Sequence, residues 1–299
     1  MFFYLEWNDK RPKSIELLVE KPTKLTFESV FMMKGTEHVI CGSINPNFMN
    51  YYPPVKLEYR KNQYLMSHLQ KCIRRMDDVK SVKTAKHLLD LDCTSFLRRL
   101  PIIMLEDVTI HDSFPILIWL MIAHSKKFEM KQEIVKWLLG VVYHLATLSD
   151  VTFYSNTEIE EIEIGDTTDI LLNTLRFRKA YGGMNGDMNM IEYYTHLLYH
   201  NKLKSANCKI PLVKLDMEPL LKKEWIYQAN DFHCNRSIIS QIQRYYPKYK
   251  HEYLKLLLWN FSSSQNNRID VSKRDKKQSE EWGKIERVVR KIQKACIYY

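Results

Sequence analysis

Two stretches within residues 56–149 are apolar on every face: Ile116–Ile122 (ILIWLMI) and Ile134–Leu145 (IVKWLLGVVYHL). A helix that meets water carries a polar stripe. A helix without one must lie inside a bundle, covered by its neighbours. The surrounding sequence has to supply that cover. LEYRKNQYLMSHLQKCIRRM places Leu57, Tyr64, Leu65, Leu69, Cys72, Ile73 and Met76 at helical spacing. Asp77 and Asp78 interrupt it and can cap VKSVKTAKHLLDL. Asp92 or Thr94 caps SFLRRLPIIMLEDV, in which Pro101 predicts a kink or a split. Asp112 or Ser113 caps the next helix, with Pro115 in its first turn. The longest unbroken apolar run, Phe114–Ala123, contains a proline and falls short of the ~20 residues that a bilayer demands. No transmembrane segment is expected.

The flanks read differently. Residues 1–54 hold FFYLEW, IELLVE, KLTFESVFMM and HVICGSI, short aromatic and branched stretches separated by polar or glycine-containing breaks. They predict a small antiparallel β segment, closed by Pro53 and Pro54. After the acidic run Glu158–Asp166, residues 167–262 predict a second helical region. Its helices fall at ILLNTLRFRKAY, DMNMIEYYTHLLYHNKL, 219–232, 236–246 and 250–261. Residues 263–299 read as a polar, flexible linker followed by an amphipathic basic helix whose stripe is Trp282, Ile285, Val288, Val289, Ile292, Ala295 and Cys296. The fold class is therefore mainly α: a helical bundle with a small N-terminal antiparallel β segment.

The opening MFFYLEWNDKRPK lacks the basic, apolar and small-residue order of a secretory signal. Cys41, Cys72, Cys93, Cys208, Cys234 and Cys296 are scattered, with no CxxC pair, the pattern of free thiols in a reducing compartment, cytoplasmic or nuclear. The same scatter argues against a zinc finger, and neither metal nor cofactor is expected.

A net charge of +10 favours a polyanionic partner. Two regions carry it. Lys56–Lys86 holds nine Lys and Arg against three Asp and Glu, and Arg268–Tyr299 holds ten against five. Arg60, Lys61, Arg74, Arg75, Lys80 and Lys83, with Arg244, Lys248 and Lys250 among the tyrosines of the 241–255 segment, are the candidate nucleic-acid contacts. Arg98 and Arg99 stand about two turns before Glu106 and Asp107 and predict a structural charge pair.

Weaker constellations remain. Gly182, Gly183 and Gly186 precede Asp187 and read as a helix–helix turn with a first-turn carboxylate, more readily than as a phosphate cradle. His196 and His200 share a helix face at metal-ligand spacing, with Asp231, His233 and Cys234 further along, but without the glutamate that a metalloprotease needs. No catalytic residue is expected.

The stretch LQKCIRRMDDVKSVKTAKHLLDLDCTSFLRRLPIIMLEDV, residues 69–108, resembles the helical C-terminal collar of clamp-loader-like AAA+ ATPases of the replication-associated recombination protein A family. Ile73-Arg74-Arg75-Met76-Asp77-Asp78 matches an "AIRGSD"-like helix end, and Arg98-Arg99-Leu100 with Glu106-Asp107-Val108 matches an "RRL…EDVG" run. The family's glycine after EDV is Thr109 here, and no GxxxxGK[ST] occurs anywhere in the chain. The resemblance implies an oligomerising, collar-like helical block in a nucleic-acid-metabolism setting, without the ATPase. The expected function is a non-catalytic accessory or assembly factor of replication, repair or transcription. It would bind DNA or RNA, a protein partner or its own copies. The alternative is a structural protein of a virus particle or large complex.

Overall fold

Four strands come first in the chain: β1 (Phe2–Trp7), β2 (Ser14–Leu18), β3 (Phe27–Met33) and β4 (Thr36–Ile44). In this computed structural model, all residues are described except 34, 55–60, 153–164, 166, 208, 231–233, 270–274, 297–299 and the side chains of 222 and 230. The strand order is β2-β1-β4-β3. The hairpins β1–β2 and β3–β4 are antiparallel, but β1 and β4 pair in parallel, Phe2 opposite Val39 through Trp7 opposite Ile44. The sheet is thus mixed, not antiparallel as expected. The strands' local pattern carries only the hairpins; the parallel seam arises because both hairpins bury their long strand on the same helices. Phe3, Leu5 and Trp7 alternate inward from β1, and Ile40 and Ile44 do so from β4.

Helices then dominate the chain. Five run through the central block: α1 (Asn62–Arg74), α2 (Asp78–Leu91), α3 (Cys93–Asp107), α4 (Phe114–Ser125) and α5 (Gln132–Thr147). Asp77 accepts from the Lys80 amide and Asp92 from the Ser95 amide, which fixes the starts of α2 and α3. Helix α4 is buried from Phe114 through Ala123, in keeping with its all-apolar sequence. Its Trp119 indole donates to the carbonyls of Phe3 (3.1 Å) and Cys41 (3.0 Å), joining the two central strands to the bundle. Pro101 neither splits nor ends α3. Leu100 through Leu105 are all buried, and that burial outweighs the roughly 3 kcal/mol that a mid-helix proline costs.

Helices α6 (Ile170–Ala180) and α7 (Asn185–Tyr199) pack on α3 and α4 and belong to the same core. An extended connector follows, crossing α5 at Gly140, where a Cβ would stand 1.8 Å from the Pro211 carbonyl oxygen. Over the described residues 219–230 of the helix expected at 219–232, the structure has two 3₁₀ turns, Lys222–Glu224 and Tyr227–Asn230. There the chain follows the surface of α1 and α2, with the His68 ring and Lys83 as anchors, and cannot coil freely. Beyond residue 233 lie α8 (Arg236–Tyr245), α9 (His251–Leu258), a π turn (Trp259–Ser263) and α10 (Lys276–Ala295). These close a second, separate apolar cluster: Ile238, Ile239, Ile242, Leu254, Leu257, Leu258, Trp282, Ile285, Val289 and Ile292.

No helix among the described residues is long and apolar enough to cross a membrane.

Candidate nucleic-acid interface

The two basic regions of the sequence meet opposite fates. In the first, the cations turn inward. The Arg74 guanidinium is 6% exposed and grips Asp107 and Glu106, the latter at 2.8 Å. Burial works against its charge, but the two carboxylates outweigh burial and raise its pKa. Burial likewise raises the Asp107 carboxyl, against the pull of Arg74. Arg75 donates to the Ser262 carbonyl (2.9 Å) and the Lys71 carbonyl (3.2 Å). Lys71 is fully buried. Lys83 reaches Glu224 (2.9 Å) across to the 3₁₀ turn, Lys80 pairs with Asp77 (2.7 Å), and Lys86 with Asp90 (2.7 Å). Arg74, Arg75 and Lys83 therefore fail as nucleic-acid contacts. Their sequence neighbourhood is basic, but the acids that neutralise Arg74 and Lys83 come from residues 106, 107 and 224, and Arg75 is held by the Ser262 carbonyl, all far along the chain. Lys80 is half-covered by its own helix cap, Lys61 is exposed, and Arg60 lies outside the described residues.

The expected charge pair is half right. Arg99 meets Glu106 (3.4 Å) and also Asp187 at the start of α7 (3.5 Å). Arg98 points away and donates to the Tyr181 carbonyl (3.2 Å). Arg74, expected elsewhere, takes its place against Asp107, and Gln70 bridges both acids at 2.8 and 2.7 Å. The glycine turn is part of this lattice: Gly182 adopts φ +71°, and Arg178 donates to its carbonyl (2.9 Å). It presents carbonyls to guanidiniums, the opposite of a phosphate cradle.

Segment 262–269, read from sequence as flexible linker, is strapped to the bundle. The Arg74 guanidinium donates to Ser263 O (3.0 Å), and Asn267 N–H donates to Arg74 O (2.8 Å). Arg268 donates to the carbonyls of Ile73 (2.8 Å), Leu148 (2.6 Å) and Leu145. Those carbonyls lie at the C-terminal ends of α1 and α5, so one guanidinium serves two helix termini.

The second basic region keeps its charge outside. Positions 234–296 hold fifteen Lys and Arg against six Asp and Glu, an excess of nine in a chain whose whole excess is ten. Arg244, Lys248 and Lys250 are exposed, with the Lys248 ammonium over the Tyr249 ring at 4.8 Å. Of the accompanying aromatics, Tyr249 is buried while Tyr245 (61%) and Trp259 (41%) are exposed. Helix α10 turns Trp282, Ile285, Val289 and Ile292 inward and Lys276, Lys277, Lys284, Arg287, Arg290, Lys291 and Lys294 outward. Lys284 and Arg290 pair with Glu281 and Glu286 of their own helix. Among the described residues, Arg287, Lys291, Lys294, Lys276, Lys277, Arg244, Lys248 and Lys250 have no acidic partner.

Comparison with protein-family profiles, curated proteins and solved structures finds no match.

Other constellations offer less chemistry. The His196 and His200 rings lie 4.4 Å apart, but no group of three or more His, Cys, Asp or Glu among the described residues is placed to hold a metal ion. Asp231, His233 and the acidic run 158–163 lie outside the described residues. A cavity of about 330 Å³ is lined by Tyr51, Asp90, Cys93, His124 and Phe128. Burial pushes the Cys93 thiol there up to about 12, so it is held as the unreactive thiol.

Proposed function

We infer that this protein is a non-catalytic accessory factor of nucleic-acid metabolism and that residues 234–296 are its polyanion-binding part. One observation carries the reading: residues 234–296 hold nine of the chain's ten excess positive charges and keep them on exposed side chains, while Arg74 and Lys83 of the bundle are neutralised internally. Lysines and arginines without acidic partners are the groups that release counterions from a phosphate backbone. The likeness of residues 69–108 to an ATPase collar supports the same setting. The residues that carry it, Arg74, Arg99, Glu106 and Asp107, are spent inside the fold, so it argues for a shared helical core more than for a contact surface. A reducing, cytoplasmic or nuclear compartment fits the scattered cysteines, which form no CxxC pair.

Titration of a labelled oligonucleotide with the full chain at low and moderate salt tests this reading. Binding that weakens steeply with salt supports it. No binding at low salt rejects it.

A second reading, a structural component of a particle or large complex, draws on the outer face of the sheet. Val30 (43%) and Met32 (59%) are exposed there beside Val39 and Phe2. Recovery of the native protein in fixed stoichiometry within such an assembly favours it; a monomer on light scattering counts against it.

A further inference from the structure

Segment 234–251 carries Arg236, Arg244, Lys248 and Lys250 and no acidic residue. All four cations are exposed, and among the described residues none meets a carboxylate. Two acids border the segment. Glu252 follows it in the chain, turned to solvent beside the His251 ring (3.3 Å). Glu281 reaches it from α10 and is held by Lys284 (2.6 Å) and by the Tyr249 hydroxyl. The tyrosines divide into engaged and free. Tyr246 donates its hydroxyl to the Lys284 carbonyl (2.9 Å), and Tyr253 stacks on the buried Tyr249 at 5.8 Å. Tyr245 has neither a hydrogen bond nor a ring contact among the described residues, and it is 61% exposed. It ends α8 on the helix's outward face, with Arg236, Ser237, Ser240, Gln241 and Arg244. That face runs about 14 Å and is free of acids. On α9, Trp259 is the one exposed tryptophan of the chain's six, one turn beyond Lys255. The Cys234 thiol reaches the Lys255 carbonyl (3.7 Å), which sets that turn of α9 beside the start of α8.

We propose that the outward face of α8, with the turn that follows it, binds single-stranded nucleic acid, a base stacking on Tyr245 while Arg244 and Lys248 meet the flanking phosphates. The proposal rests on the reading of residues 234–296 as the polyanion-binding part and names the form of the strand. An exposed aromatic face among cations is the pairing that unpaired bases need, and it is indifferent to sequence because every base has a π-face. In a duplex those faces are covered by neighbouring base pairs, and Tyr245 would have nothing to stack on. Between the two arginines the face is Ser237, Ser240 and Gln241, whose hydroxyl and amide groups hydrogen-bond phosphate and offer nothing apolar to a lipid surface. The cations of α10 add to the attraction without choosing the form of the strand.

The test compares the full chain with its Tyr245→Ala and Tyr245→Phe variants. Anisotropy follows a labelled mixed-sequence strand of about sixteen nucleotides and the same strand annealed to its complement. Co-sedimentation follows vesicles of phosphatidylserine and phosphatidylcholine, which carry negative charge without bases. The wild-type chain is expected to prefer the single strand. Tyr245→Ala should weaken that binding about tenfold and leave its salt dependence unchanged, because a ring is lost and no cation. It should unfold at the wild-type midpoint, since the ring is exposed. Tyr245→Phe keeps the ring and should keep the affinity. Full affinity of Tyr245→Ala for the single strand, or duplex binding as tight as single-strand binding, overturns the proposal and leaves polyanion binding standing. Vesicle binding that falls with Tyr245→Ala as far as strand binding does also overturns it, because the ring then serves no base. Failure of the wild-type chain to bind either strand form overturns both.

Discussion

The His68 ring shows how much a single side chain settles in this fold. Its Nε2 accepts from the Ile226 N–H (2.9 Å), so the proton sits on Nδ1 and is shared with the Thr84 hydroxyl (2.8 Å). Burial is the main cause that pushes its pKa down to about 3; at His111, burial and then the nearby His144 push it down to about 4. For a base with a depressed folded-state pKa, the unfolded chain binds more protons at acid pH. The stability these rings contribute is whole above about 6.5 and is lost as the pH falls towards 4 and then 3. Denaturant unfolding across that window is expected to show a loss approaching about 1.4 kcal/mol per pH unit for each ring. A His68→Gln variant should flatten the profile. At the neighbouring ion pair, Asp107→Asn leaves the Arg74 guanidinium, 6% exposed, with Glu106 as its one acid, and a loss of about 3 kcal/mol is expected on chemical denaturation. An undiminished midpoint would contradict the pairing. Glu106, Asp107 and Arg99 were legible in the sequence because they sit two turns apart on one helix. Arg74 was not, since its partners lie on α3 and nothing local marks them.

At the level of elements, close approaches decide more than propensity does. The connector after α7 passes α5 so tightly that Gly140→Ala puts a methyl group on the Pro211 carbonyl. Unlike a Gly→Ala change on an open helix face, it should destabilise, by about 2–3 kcal/mol in thermal or denaturant unfolding. In the sequence this glycine is one unremarked residue of the apolar run Ile134–Leu145. Helix α10 illustrates the opposite case. Its stripe of Trp282, Ile285, Val289 and Ile292 could be read directly, and so could its return to the chain's own core, because a stripe of that width needs a partner and α8 and α9 are the nearest apolar faces. The missing helix at 219–232 failed for a related reason. Its anchors to His68 and Lys83 lie about 140–160 residues upstream, and they hold the chain in 3₁₀ turns against its local preference.

For the whole molecule, the distribution of charge matters more than its total. Residues 1–233 are close to neutral, and Arg74, Lys80, Lys83 and Lys86 of α1 and α2 are tied to acids, so salt dependence of any polyanion binding should originate in the C-terminal part. Replacing Arg287, Lys291 and Lys294 by Gln is expected to lower the slope of log K against log salt by about 0.9 for each phosphate that is no longer neutralised. Lys83→Gln should leave the slope unchanged. Equal effects in both sets would place the interface elsewhere.

Sequence alone determined the all-apolar helix α4, the caps at Asp77 and Asp92, the strand alternation of Phe3, Leu5 and Trp7, and the net charge, because each is a local or periodic property of the chain; α5, expected to be covered on every face, keeps Tyr143 exposed. Tertiary structure alone decided the parallel β1–β4 seam, the tethering of residues 262–269, and which of two equally basic regions faces outward. A charge becomes available or spent only when folding sets its distance to an opposite charge. For Arg74 and Lys83 that partner is remote in sequence; for Arg287 and Lys294 none of the described acids comes near.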